Sequence, residues 1–259
     1  MLQLTTSESY FLFNNGFTVM PDGTLLLGEY ASVWQNNRWV NLAYLYISKT
    51  DGRSWETSDF LQRQGVNKHI HLVKYSPLLN QVFMTDGDNK KQLWRNQTVT
   101  HYAQSACPEG HGWHLTNRFH WQMGGYTSML DHEQGVVFGT DYLGGTNFLV
   151  HTTDGRTFRK EVIPNPYRRS PVINMVARRV GTQTELWALL HNSVMPEKSC
   201  VLMYSQDNGK TWHRFIEYDG RQHEIQLVSS ASGANGELYF CIRQWVNGQE
   251  LSQTYRVTT

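Results

Sequence analysis

Cysteine, proline and any excess of charge are all scarce in this chain of 259 residues. Its three cysteines, Cys107, Cys200 and Cys241, stand at irregular spacing and in odd number, which excludes a disulfide framework and fits a reducing compartment. Twenty-three basic side chains against 22 acidic ones leave a formal charge of +1. With no polybasic run, nothing electrostatic favours nucleic acid or an anionic membrane as partner. The opening MLQLTTSESYFLF lacks a basic stretch followed by a long apolar run, so it does not read as a signal peptide, and no stretch reaches the length of a membrane span. A cytoplasmic protein is the expectation.

Aromatic residues and glycine are abundant. Nine Trp, 13 Tyr and 11 Phe accompany many Val, Leu and Thr, with 21 Gly and only seven Pro. Aromatic and β-branched side chains suit a pleated surface, and glycines suit its turns, so an all-β chain is expected.

One short pattern recurs. YSQDNGKTWHRF carries Ser205, Asp207, Gly209, Thr211 and Trp212 at alternating positions. YISKTDGRSWE repeats it with Ser48, Thr50, Gly52, Ser54 and Trp55, and VHTTDGRTFRK with His151, Thr153, Gly155, Thr157 and Phe158. Each copy follows an alternating apolar run and precedes another short strand, so each is a turn between antiparallel strands. Ser48 and His151 lie 103 residues apart, and His151 and Ser205 lie 54 apart. A period of about 52 residues fits if one copy near LWRNQTVTHY has decayed, and a four-stranded unit of that size is a propeller blade.

The chain then divides into five blades within one domain, 1–259. GFTVMP, TLLLGEY, LAYLYIS and SWETSDF form the first, and HIHLVKYS, QVFMTD, KQLWRN and THYAQS the second. YTSMLD, VVFGTDY, NFLVHTT and FRKEVIP follow, then VINMVARR, ELWALLH, SCVLMYS and WHRFIEY. EIQLVSSA, ELYFCIRQW and LSQTYRV leave the fifth blade one strand short. The expected fold is a five-bladed β-propeller of four-stranded antiparallel blades, its ring closed by the N-terminal LQLTTSESYFLF beside the C-terminal strand.

The pattern S-x-D-x-G-x-T-W at Ser205 to Trp212 resembles the Asp-box, or BNR repeat, of sialidase-like propellers; the other two copies put Thr in place of the Asp and carry an Asp one position later. HIHLVKYSPLLNQVFMTDGD and VVFGTDYLGGTNFLVHTTDG also resemble segments of uncharacterised bacterial BNR-repeat proteins described as glycosyl hydrolases. The resemblance implies that the box is a fold element, with Trp55, Phe158 and Trp212 packing rather than binding. A true sialidase is not expected. The arginine motif of that family is missing, and Arg38, Arg118, Arg168, Arg169 and Arg243 match none of its arginines by motif.

Blade topology then predicts the ligand face. Strands alternate in direction, so the ends of second strands and the starts of first strands open on one side. Those positions are Glu29, Tyr30, Asp86, Asp88, Thr140, Asp141, Tyr142, His191, Asn192, Arg243, Gln244, His69, His71, Tyr126 and His223. Two long loops, 31–41 and 105–125, add Trp34, Arg38, Trp39, Trp113, His120 and Trp121. Flat indole faces suit sugar rings, and Asn and Arg suit hydroxyls or carboxylates. Each of these polar residues also has a plain reading as a wet strand end, and each tryptophan as a cap on the core.

A carbohydrate is therefore the expected ligand, with His69, His71, Asp86, Asp88 and Asp141 as catalytic candidates. Glycosidases use two carboxyls flanking the bond, whereas a uronate lyase needs a His or Tyr base; the residues allow either. A lectin-like module or a protein-interaction propeller uses the same surface without turnover. No cofactor is expected. The lesser alternatives are a divalent ion at His69, His71, Asp86 and Asp88, or one at Cys107, His111, His114 and His120, whose spacing matches no strong zinc pattern. Oligomeric state is left open.

Overall fold

The short turns between apolar runs pair each run with its neighbour in sequence, as the computed structural model shows. It describes residues 2–12, 14–86, 88, 90–96, 112–118, 125–191, 197, 199–228 and 237–258. β1 (Phe17–Val19) and β2 (Leu25–Gly28) begin the first sheet; β3 (Trp34–Gln35) and β4 (Arg38–Trp39) form a separate two-stranded ribbon; β5 (Leu45–Ser48) and β6 (Glu56–Ser58) complete the sheet in the order β1-β2-β5-β6. β7 (Leu72–Ser76), β8 (Gln81–Thr85), β9 (Gln92–Asn96) and β10 (Trp113–Arg118) make the second sheet. β11 (Gly125–His132), β12 (Gly135–Asp141), β13 (Phe148–Thr152) and β14 (Arg159–Val162) make the third. β15 (Val172–Val180), β16 (Gln183–Leu190), β17 (Ser199–Ser205) and β18 (His213–Asp219) make the fourth. β19 (His223–Leu227), β20 (Leu238–Val246) and β21 (Gln249–Val257) form a three-stranded fifth. Pairing is antiparallel, in sequential meanders. Among the described residues no helix is long and apolar enough to cross a membrane.

Residues 1–127 and 154–157 form one compact unit, and residues 128–153 and 158–259 a second. In the first, Leu26, Leu45, Ile47, Ile70, Val73, Met84, Trp94 and Trp113 build the core. In the second, one core gathers Val137, Leu149, Val172, Leu186 and Val201, and another gathers Trp187, Leu202, Ile225, Leu238 and Phe240. Glycine sets the spacing in both. A β-carbon on Gly28 would meet Ile70 Cγ2 at 2.5 Å and Val73 Cγ2 at 2.9 Å, and one on Gly139 would meet Val172 Cβ at 2.5 Å. Only a residue without a side chain lets β2 approach the residues around β7, or β12 approach β15.

The recurring turns join β5 to β6, β13 to β14 and β17 to β18. In the last, Ser205 Oγ accepts from the Gly209 N–H (2.9 Å) and donates to Asp207 Oδ1 (2.8 Å). Asp207 accepts from the Thr211 N–H (2.8 Å) and hydroxyl (2.7 Å), and the Trp212 indole N–H donates to the Gly209 carbonyl (3.1 Å). The first turn has the same wiring with Thr50 in the place of the aspartate. Ser48 Oγ accepts from Gly52 N–H (2.9 Å), Thr50 Oγ1 from Ser54 N–H (2.9 Å), and Trp55 Nε1 donates to the Gly52 carbonyl (2.9 Å). In the second turn the shifted Asp154 accepts the amides of Arg156 and Thr157, both at 2.7 Å. Gly52, Gly155 and Gly209 have φ of 77°, 69° and 82°, the left-handed region that favours glycine.

Two expectations differ from the fold. THYAQS lies outside the described residues, and β10 supplies the fourth strand of the second sheet from within the stretch that reads as loop 105–125. Alternation explains it: Trp113 is buried against Phe60 (ring centroids 6.2 Å) while His114 faces solvent. Ring closure is not shown either, and the described part of the N-terminal segment pairs within the first unit. Tyr10 forms an isolated antiparallel bridge with Tyr30, its ring 5.1 Å from the Tyr30 ring, and β21 has no fourth strand beside it among the described residues. A buried carboxylate holds the segment there, since Glu29 accepts from Thr5 N–H (2.9 Å), Thr5 Oγ1 (2.8 Å) and Tyr46 OH (2.6 Å).

Candidate functional site

The residues after β2, before β7 and after β8 converge in the first unit. Leu42 N–H donates to the Lys68 carbonyl (2.6 Å), Ile70 N–H to the Glu29 carbonyl (2.9 Å) and His71 N–H to the Thr85 carbonyl (2.9 Å). These bonds hold 68–71 extended, and extended chain sends alternate side chains to one side. Ile70 therefore enters the core, while His69 and His71 point together the other way, their rings stacked at 4.9 Å.

Asp86 shapes the loop that meets them. Its buried carboxylate accepts the backbone N–H groups of Lys90 (2.6 Å), Lys91 (3.1 Å) and Gln92 (2.9 Å). The curled loop delivers Asp88, whose Oδ2 lies 3.1 Å from His69 Nε2 and 2.5 Å from Lys68 Nζ. Asp88 Oδ1 lies 3.6 Å from His71 Nε2, and the two imidazole Nε2 atoms are 2.9 Å apart. On its other edge His69 Nδ1 bonds the Ala31 carbonyl at 2.5 Å, so that nitrogen carries the hydrogen and Nε2 is left facing the carboxylate. The Tyr30 ring covers both imidazoles, 4.0 Å from His69 and 5.4 Å from His71.

The electrostatics follow from this packing. Burial drives the His71 imidazole down to about 3, with His69 and Lys68 adding to the shift and Asp88 opposing it. Burial alone would raise the Asp88 carboxyl, yet the His69 hydrogen bond, the His71 ring and Lys68 hold it far below the ordinary carboxylate range. At neutral pH the cluster offers an ionised carboxylate, a neutral imidazole and an ammonium. That set can orient water or hold a cation.

Above it, the exposed ribbon of β3 and β4 presents Trp34, Arg38 and Trp39. The two indoles meet edge to face at 5.0 Å, and Lys68 Nζ sits 4.5 Å from the Trp39 ring centroid. The structure thus brings His69, His71, Asp88 and Tyr30 together, with Trp34 and Arg38 on the adjoining ribbon, while the buried Glu29 carboxylate is spent on Thr5 and Tyr46.

Other expected site residues have other partners. Asp86 spends its carboxylate on its own loop. Trp113 is a core residue, 3% exposed, and Tyr126 is fully buried with its carbonyl accepting from Thr85 Oγ1 (3.2 Å). In the second unit, Asp141 ends β12 and Tyr142 follows it, where the Asn147 side-chain oxygen accepts from the Tyr142 N–H (2.6 Å). His223 stacks on Tyr218 at 4.6 Å. Arg243 is engaged twice by Glu250 (2.8 and 2.7 Å) and once by Glu224 (3.1 Å). His120, Trp121 and Asn192 lie outside the described residues, as do Cys107 and His111.

Sequence reasoning passed over Lys68. Its signal was position alone: in NKHIHL the lysine adjoins an H-x-H pair, and the pinned backbone carries it to the same carboxylate.

No protein-family model and no curated protein sequence matches the chain. Solved structures do match. The catalytic domain of the Coprinopsis cinerea GH62 α-L-arabinofuranosidase aligns with a TM-score of 0.50 at 10% identity, over 95% of this chain and 88% of that one. Trypanosoma rangeli sialidase aligns at 0.49 and 10% identity, over 97% and 44% of the two chains. Penicillium chrysogenum α-L-arabinanase, complexed with arabinobiose, aligns at 0.46 and 11%, over 97% and 79%. At such identity the likeness to the first, a β-propeller enzyme, is one of fold, and this chain is similarly built of antiparallel sheets in sequence order.

Proposed function

We propose that this chain is a carbohydrate-active β-propeller of the Asp-box type, with its five sheets as blades, and that it hydrolyses glycosidic bonds at the His69–His71–Asp88 cluster. The observation that carries the reading is the convergence of two buried imidazoles, an ionised carboxylate and Lys68 beneath an exposed tryptophan ribbon. Asp88 is the reactive carboxylate, since Asp86 and Glu29 are committed to structural hydrogen bonds. Neutral His71 and Tyr30 line the same place, and Trp34 supplies a flat apolar face for a sugar ring. The fold likeness makes α-L-arabinofuranosides the first substrates to try.

Release of reducing sugar from a panel of arabinans, arabinoxylans, galactans and sialylated glycans tests this. Turnover of at least one substrate, lost in Asp88→Asn, is expected; no turnover across the panel overturns it.

A second reading, glycan binding without turnover, is favoured by the Trp34–Trp39 pair, whose exposure of 56% and 41% is high for indole. Under it, glycan affinity depends on Trp34 and is indifferent to Asp88→Asn.

A further inference from the structure

We propose that His69 Nε2, His71 Nε2 and one Asp88 oxygen together ligate a divalent transition-metal ion of the zinc class. The three atoms lie within 4.8 Å of one another. The separations are 2.9 Å between the imidazole nitrogens, 3.1 Å from His69 Nε2 to Asp88 Oδ2 and 3.6 Å from His71 Nε2 to Asp88 Oδ1. An ion bonded at about 2.1 Å to nitrogen and oxygen has ligand–ligand edges of roughly 3.0 Å when octahedral and roughly 3.4 Å when tetrahedral. These separations, with either carboxylate oxygen, are of the size found between ligands of one coordination shell.

The hydrogen bonding points the same way. His69 commits Nδ1–H to the Ala31 carbonyl, the outer bond that orients a ligating histidine. Its Nε2 then faces both a second imidazole nitrogen and a carboxylate oxygen, a gathering of electron-rich atoms that needs a positive centre, a metal ion or a proton, between them. The donors are fixed before any ion arrives, through the backbone bonds of Ile70 and His71 and the Asp86-curled loop. Asp88 is partly exposed, which opens a path from solvent. Two imidazoles with one carboxylate suit zinc, cobalt, iron or manganese; calcium and magnesium prefer oxygen alone. Lys68, on Asp88 Oδ2, competes with the ion for the charge of that carboxylate.

The inference depends on the proposed hydrolase only for its catalytic meaning, and the ligation can be measured without sugar. The full chain, stripped with chelator, is titrated with Zn²⁺ by calorimetry and with Co²⁺ by visible absorption. One equivalent of each is expected, with Co²⁺ ligand-field bands. Asp88→Asn and His71→Ala, checked for native circular dichroism, weaken uptake by more than about 100-fold, beyond the loss that outer partners cause. Lys68→Met tightens it by removing the competing cation. The absence of stoichiometric uptake by the wild-type chain, whose fold is not in question, overturns the proposal and assigns the positive centre to a proton. Unchanged uptake in the folded ligand variants overturns it equally. Uptake without hydrolysis of any glycan overturns the hydrolase and supports the ion site; hydrolysis by a chain that takes up no metal does the reverse.

Discussion

Lys68 and Asp88 meet at 2.5 Å, between a carboxylate already faced by two imidazoles and an indole that lies under the same ammonium at 4.5 Å. The pair is mostly buried, so neither charge is well hydrated and each depends on the other. Lys68→Met keeps the aliphatic stem on Trp39 and removes only the charge. Its expected cost is about 1.5–3 kcal/mol, the range for a hydrogen bond to an ionised group. Urea unfolding of the two proteins measures it, and Lys68→Arg, which keeps the charge, is expected to lose less.

Trp34 and Trp113 look alike in sequence, each an indole in a long polar stretch, yet they sit at opposite extremes of exposure, 56% and 3%. Trp113→Ala empties a site packed by Phe60 and Trp94 and is expected to cost about 3–5 kcal/mol. Trp34→Ala removes an exposed ring and changes stability by no more than about 0.5 kcal/mol. Glycan affinity reverses the order: it falls in the Trp34 variant at temperatures where both remain folded. Thermal unfolding and a binding titration on the same samples separate the two roles.

That contrast shows where sequence reading carried and where it failed. The strand order was legible because apolar alternation and the Ser48, Asp154 and Ser205 turns are local signals. Each turn closes hydrogen bonds within four residues. β10 was not legible, because Trp113 and Leu115 alternate over too few residues to stand out from a loop full of Trp and His. At the site, His69 and His71 were found by their spacing. The division of labour between Asp86 and Asp88 was invisible, because it depends on which carboxylate the loop amides claim. Lys68 was missed for a related reason: a lysine gains meaning only from the carboxylate it reaches, and that partner lies 20 residues away. The anchor of the N-terminal segment was not legible, because it is the buried Glu29 carboxylate rather than any strand pattern.

Gly28 makes a prediction of packing alone. A methyl group there would overlap Ile70 and Val73, and Ile70 shares its backbone with the two histidines. Gly28→Ala is expected to destabilise by about 1–3 kcal/mol through overpacking. It should also loosen the 68–71 segment, so activity falls more than the stability loss explains. Gly139→Ala in the second unit faces the same overlap against Val172 but adjoins no candidate site. It is expected to cost similar stability and leave metal uptake unchanged, which makes it the control.

Asp207 carries a pH dependence whose sign can be worked out. Desolvation alone would raise its carboxyl, but the Thr211 hydroxyl and amide, with Ser205, bring it down to about 2 from an ordinary 3.8. The folded chain therefore takes up this proton at lower pH than the unfolded chain does. Between those two values the unfolded state binds more protons, and stability must rise with pH there. The contribution of Asp207 is complete above about pH 5 and fades as acid carries the group through its folded value. Asp207→Asn keeps the shape and abolishes this titration. Thermal midpoints measured from pH 6 down to pH 2.5 should show the wild-type advantage shrinking toward zero at the acid end. An advantage that stays constant across the range would assign the turn's stability to shape rather than to charge. Thr50 offers the comparison within the same chain: it has the matching place in the first turn with no carboxyl to titrate. Thr50→Ala is accordingly expected to lower the midpoint by the same amount at pH 6 and at pH 3.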